Sequence, residues 1–197
     1  NTGLGHQTLK LNTTGGWNVA VGVNSLLNNT ASENTAVGAG CLQANTSGTK
    51  NVAVGTYALD TNTTASNNTA IGYDSLTANT TGTNNVAVGY QSLLSNTTGT
   101  QNVAMGDRAL DANTTANFNV GVGAFALGAN TTGASNTAVG NLALFANTTA
   151  NNNTALGESA LYSNTTGTQN VAVGANALDA NTTANNNTAA GYNALGV

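Results

Sequence analysis

The sequence predicts an all-β chain, a parallel β-solenoid of about twelve turns wound from one repeat. Three observations lead there. Glycine recurs at Gly5, Gly22, Gly38, Gly55, Gly72, Gly89, Gly106, Gly123, Gly140, Gly157, Gly174 and Gly191, at steps of 17 residues with one step of 16. Repetition at a fixed period decides the architecture before any local reading does. Each of these glycines closes a short stretch of the type Asn-Val-Ala-Val-Gly, whose apolar residues alternate with period two, as in a strand. Proline is absent from the chain, as expected where every strand donates to a ladder.

The repeats begin near residues 1, 18, 34, 51, 68, 85, 102, 119, 136, 153, 170 and 187, and residues 1–197 form one solenoid domain. Residues 85–101, NVAVGYQSLLSNTTGTQ, are a clean copy. The first position is Asn throughout: Asn1, then Asn18, Asn34, Asn51, Asn68, Asn85, Asn102, Asn119, Asn136, Asn153, Asn170 and Asn187. The ninth is always Leu: Leu9, Leu26, Leu42, Leu59, Leu76, Leu93, Leu110, Leu127, Leu144, Leu161, Leu178 and Leu195. Positions six, seven and ten vary freely.

Positions two, four and nine do not follow a helical period, and Gly at five and Asn-Thr-Thr at twelve to fourteen break any long helix. A short helical turn over positions six to eleven stays open. In the strand, the β-branched residues at two and four share one face and are expected to be buried together with the Leu. A second extended piece is expected around that Leu and a third at Asn-Thr-Thr. A strand this short cannot repay its own ordering entropy, so each turn must stack on the next. Like residues then lie over like, about 4.8 Å apart, in a rod about 57 Å long. The Leu residues become a core column, and the position-one Asn residues are expected to form a buried amide ladder.

The one-residue deletion falls between Leu26 and Asn34, beside the Asn-Thr-Thr corner, which marks that corner as a tolerant edge. Position fifteen is Gly or Ala. Gly usually precedes Val at the next position two (Gly48 and Val52, Gly99 and Val103), and Ala usually precedes Thr (Ala65 and Thr69, Ala150 and Thr154). Block duplication explains this pattern, and a structural alternation of adjacent turns is the sharper reading.

Residues Asn84, Asn85, Val86, Ala87, Val88 and Gly89 resemble the Asn-Ser-Val-Ala-Ile-Gly motif of trimeric autotransporter adhesin heads, and similar repeats occur in phage tail fibres. The likeness recurs in every turn. It implies a left-handed parallel β-roll, three chains side by side, displayed outside the cell and used for attachment.

Composition removes several function classes. Three basic residues cannot line a nucleic-acid phosphate backbone. No apolar run approaches the ~18 residues of a membrane span. The single Cys41 excludes an internal disulfide framework. One His and seven carboxylates, scattered over variable columns, offer no catalytic constellation, so the chain reads as a non-enzyme without cofactor or metal. His6 reads as a surface histidine, Cys41 as a packed small residue, and Asp107 and Arg108 as a solvated pair. The Asn-Thr-Thr or Asn-Thr-Ser sequence is formally a glycosylation acceptor. Asn62, Asn79, Asn96, Asn113, Asn130, Asn147, Asn164 and Asn181 are therefore candidate surface or modification sites. Turn and ladder hydrogen bonds are the alternative reading of the same residues.

Three functions follow. A structural or adhesive extracellular fibre is favoured, with itself as partner, in a filament or a trimer, and a surface or glycan receptor. Ice binding by Thr ranks is the second, weakened because hydroxyls of consecutive residues in a strand face opposite sides. The third is carbohydrate binding by aromatics such as Tyr73 and Tyr90. Neither end of the chain carries a capping sequence, so end-to-end stacking or continuation into a longer solenoid is also expected.

Overall fold

A computed structural model describes residues 1–196. Twelve strands form one parallel sheet in chain order. They are β1 (Thr2–Leu4), β2 (Val19–Val21), β3 (Thr35–Val37), β4 (Val52–Val54), β5 (Thr69–Ile71), β6 (Val86–Val88), β7 (Val103–Met105), β8 (Val120–Val122), β9 (Thr137–Val139), β10 (Thr154–Leu156), β11 (Val171–Val173) and β12 (Thr188–Ala190). Each strand pairs in register with the same positions one repeat away, as Val86 with Val103, Ala87 with Ala104 and Val88 with Met105. The chain is a parallel β-solenoid with a repeat of about 17 residues, and no helix is present among the described residues. The short second turn keeps the same register, Val19 with Thr35. Its missing residue is absorbed at the corner, where Asn29 reaches the Ala31 carbonyl two residues on rather than three.

The strand is turned the other way round from expectation. Ala20, Ala36, Ala53, Ala70, Ala87, Ala104 and their equivalents at position three are fully buried, while the residues at positions two and four look outward. The coil is thin. Asn at one and Ala at three face the Leu across a narrow interior that has room for a methyl but not for a second rank of Val. The outward β-branched residues instead favour the extended backbone and pack against their copies above and below.

No second or third strand forms in a turn among the described residues. Positions six to eleven make a tight turn, and Asn-Thr-Thr makes a bend. Each Leu of the column has a positive φ of 49° to 54°, a left-handed conformation that costs a residue with a Cβ about 1–2 kcal/mol. The reward is that Leu26 through Leu161 are completely buried, filling the space opposite the alanines. The small residues at eight, such as Ala58, Ser75 and Cys41, complete this wall. Leu9 is half-buried and Leu195 is exposed, each lying in the outermost described turn at its end.

Gly at position five is required twice over. Its φ lies between 129° and 140°, and a methyl on Gly106 would stand 2.6 Å from the Gly123 carbonyl in the next turn.

Candidate functional site

A large part of the interior is polar. The position-one Asn residues from Asn18 to Asn170 are buried. Each side-chain Oδ1 accepts the backbone N–H of the next Asn in its column, at 2.9–3.0 Å, from Asn1 to Asn187. From Asn1 to Asn170 each Nδ2 donates within its own turn to the position-fifteen carbonyl, as Asn51 does to Ala65 at 2.9 Å.

The position-twelve Asn residues lie inside as well, which corrects their reading as surface acceptors. Asn62, Asn79, Asn96, Asn113, Asn130, Asn147 and Asn164 are fully buried, and Asn181 is half-buried. Each Nδ2 donates to the Oδ1 of the Asn one turn earlier, at 2.8–3.2 Å. Its other hydrogen goes to the position-fifteen carbonyl, as from Asn62 to Ala65 at 3.0 Å. Both donors of the amide are spent, so attaching a glycan there would break the ladder. The Thr after it is half-buried and donates its hydroxyl to the carbonyl of the next copy, as Thr80 does to Thr97 at 3.1 Å. The second Thr is exposed wherever it occurs, as at Thr81 and Thr98; the third turn has Ser47 in its place and the short second turn lacks it. Because the pair sits in a bend, both residues reach the surface.

Position fifteen separates two kinds of turn. A methyl on Gly82, Gly99 or Gly133 would be driven into the carbonyl of the following turn, whereas Ala65, Ala116 and Ala150 hold theirs buried at the same position.

The variable columns carry the remaining chemistry. Cys41 is buried against Ser25, and burial pushes its thiol pKa up. Such a thiol is a packing group rather than a nucleophile. His6 is exposed. Burial raises the pKa of Asp60, as does the nearby Asp74 carboxylate, against a backbone hydrogen bond. Burial also raises Asp111, although Arg108 pulls it down. Among the described residues, no three His, Cys, Asp or Glu side chains gather to share a metal ion, and no helix is long and apolar enough to cross a membrane.

One surface feature links seven consecutive turns, with one side chain from each. Tyr57 meets Tyr73 edge-on at 6.5 Å, and Tyr73 stacks on Tyr90 at 5.8 Å and 12°. The Arg108 guanidinium lies 5.9 Å from the rings of both Tyr90 and Phe125. Phe125 meets Phe145 edge-on at 6.5 Å, and Phe145 stacks on Tyr162 at 5.5 Å and 14°. Asp107 and Arg108 are both exposed, as a solvated pair would be, and Arg108 in addition links two groups of aromatic rings. Tyr73 and Tyr90 do stack in adjacent turns, and for that reason the ring faces they share are covered. Sequence reading missed the rest of this ladder because it hops between positions seven, six and ten.

Fold and surfaces together define a repeat protein of the parallel β-solenoid class. The chain matches no protein-family model, no curated protein and no solved structure.

Proposed function

We propose that this chain is a non-enzymatic structural and adhesive fibre protein of the extracellular space, associating side by side with its own copies. The observation that carries this is the outer face of the sheet. In all twelve strands, positions two and four hold only Val, Thr, Leu, Ile, Met or Ala, without one charged residue. Leu4, Ile71, Met105, Leu156 and Val173 are exposed large apolar side chains on this face. All ten charged residues fall at positions six, seven, ten or seventeen. A strip about 57 Å long and ~10 Å wide offers about 600 Å², close to the ~800 Å² per partner of a standard interface. An uncharged strip whose position-four column is apolar in every strand is the kind of surface that serves as an interaction site. The invariant residues all serve the coil, which leaves the variable columns to meet a target surface.

Sedimentation and electron microscopy of the purified chain test the reading, alongside attachment of protein-coated beads to cell surfaces. Rods several chains thick are expected, dispersing to single coils in an Ile71→Lys, Met105→Lys double variant with unchanged circular dichroism. A monodisperse monomer at high concentration would overturn the association.

Ice binding draws on a different observation, the exposed position-fourteen Thr residues, which repeat at the turn spacing from Thr64 to Thr183. Thermal hysteresis of the pure protein separates the two readings.

A further inference from the structure

The aromatic ladder ends in turn ten, and its end differs from its body. Every ring from Tyr57 to Phe145 is followed, in the next turn, by another ring or by Arg108. At the other end Tyr57 is seated on a glycine, since a Cβ on Gly40 would lie 2.8 Å from its Cδ1. Tyr162 alone has no such successor. Its near face is covered by Phe145, while positions six, seven and ten of the next turn are Ala175, Asn176 and Asp179. Beside Tyr162, between the position-seven column and positions ten and eleven of turns nine to eleven, there is a cleft of about 370 Å³, lined by Tyr162, Ser163, Leu142, Ser159, Asn176 and Asp179 among others.

These polar groups are unspent. The Asp179 Oδ1 has no hydrogen-bond partner among the described residues, as is also true of the Asp60 Oδ1 at the same position seven turns earlier. The side chains of Ser159, Ser163 and Asn176 make no hydrogen bond to any described residue, in contrast with the saturated amides of the interior. An apolar ring beside a few convergent donors and acceptors is the composition of a small-ligand site.

We infer that this cleft binds a neutral hexopyranose unit, with the apolar C–H face of the sugar laid on Tyr162. Sugar hydroxyls donate to the Asp179 carboxylate and to the Asn176 amide oxygen, and accept from the Asn176 Nδ2 and the serine hydroxyls. A sugar ring satisfies both features of the cleft at once, a flat apolar wall and several separated polar partners. An organic cation would use the ring and the carboxylate but leave three neutral groups unmet. The cleft lies at positions seven, ten and eleven, away from the sheet face, so the site is present whether or not the chain self-associates. It also moves any sugar platform from Tyr73 and Tyr90, whose faces cover each other, to the end of the ladder.

The test is titration of the whole chain, observed by NMR, with methyl glucoside, galactoside and mannoside, and with tetramethylammonium as a cationic probe. At least one hexoside is expected to shift signals of Tyr162, Ser163 and Asn176 at sugar concentrations up to about 10 mM. Tyr162→Ala and Asp179→Asn should each weaken that binding about tenfold or more, while Tyr73→Ala leaves it unchanged. Circular dichroism identical to the parent shows that each variant keeps its coil, and Asp179→Asn preserves side-chain shape if Tyr162→Ala does not fold. No shift with any of the three hexosides, binding of tetramethylammonium alone, or binding retained in a folded Asp179→Asn variant would overturn the proposal.

Discussion

The interior has two walls, and they hold the coil by different physics. The apolar wall consists of the position-three alanines, the small residues at eight and the Leu column. Its contribution scales with the area removed from water and needs no particular direction. The amide wall consists of the two Asn columns, where every group has a fixed partner in its own turn or the adjoining one. Apolar contacts tolerate a small axial slip. An Oδ1 that must meet the next turn's N–H at 2.9 Å does not. The apolar wall therefore sets how thin the coil is, and the amide wall sets its register.

The largest effect should come from placing a charge in the apolar wall. Leu110→Asp is expected to abolish a cooperative thermal transition, because an unpaired carboxylate cannot be accommodated there. Leu110→Ala should cost about 2–5 kcal/mol in denaturant melts. In the amide wall, Asn102→Ala and Asn113→Ala should each cost about 1–3 kcal/mol by leaving neighbours unmet. The comparison sharpens in double variants. Asn96→Ala with Asn113→Ala removes both partners of one rung and should cost less than the sum of the singles. Strict additivity would show that the ladder is not a shared network.

A smaller effect concerns pH. Burial raises the pKa of Asp60 and Asp111 in the folded chain. The folded state therefore holds these protons more tightly than the unfolded one. Stability is greatest below the ordinary carboxylate range and falls as pH rises through the raised values. Asp60→Asn should thus raise the melting temperature at neutral pH and lose that advantage in acid. The smallest change is expected at Tyr90, a half-exposed ladder residue, where Tyr90→Ser should cost about 1 kcal/mol or less.

Much of this was legible because the chain carries its own comparison set. The period, the parallel stacking and the inward Leu and Asn columns follow from positions that hold one residue while their neighbours vary. The same logic applies to the strand faces. Position three is Ala in ten copies and Gly in the other two, whereas position four accepts Val, Ile, Leu, Met and Ala. A position that tolerates such a range of volumes is not packed into a narrow core, and the appeal of β-branched burial hid that signal. Asn62 and its equivalents were obscured in the same way, because a sequon suggests exposure even where the column is as uniform as at position one. The left-handed φ of the Leu residues was not legible, since Leu does not favour that region and only the closure of the turn imposes it. The ladder through Arg108 was hidden by its changes of column.

The sharing of every amide between neighbours bears on how the chain responds to force. A turn has no complete set of partners of its own, so its integrity is lent by the turns on either side. Tension applied along the axis loads the outermost turn first and leaves the remainder in register. Extraction should then proceed as a staircase rather than a single rupture. Each step frees 17 residues, or about 50–60 Å of extended chain against about 4.8 Å of rod. Under sustained pull each surrendered turn becomes roughly tenfold longer, while the coil that remains stays straight.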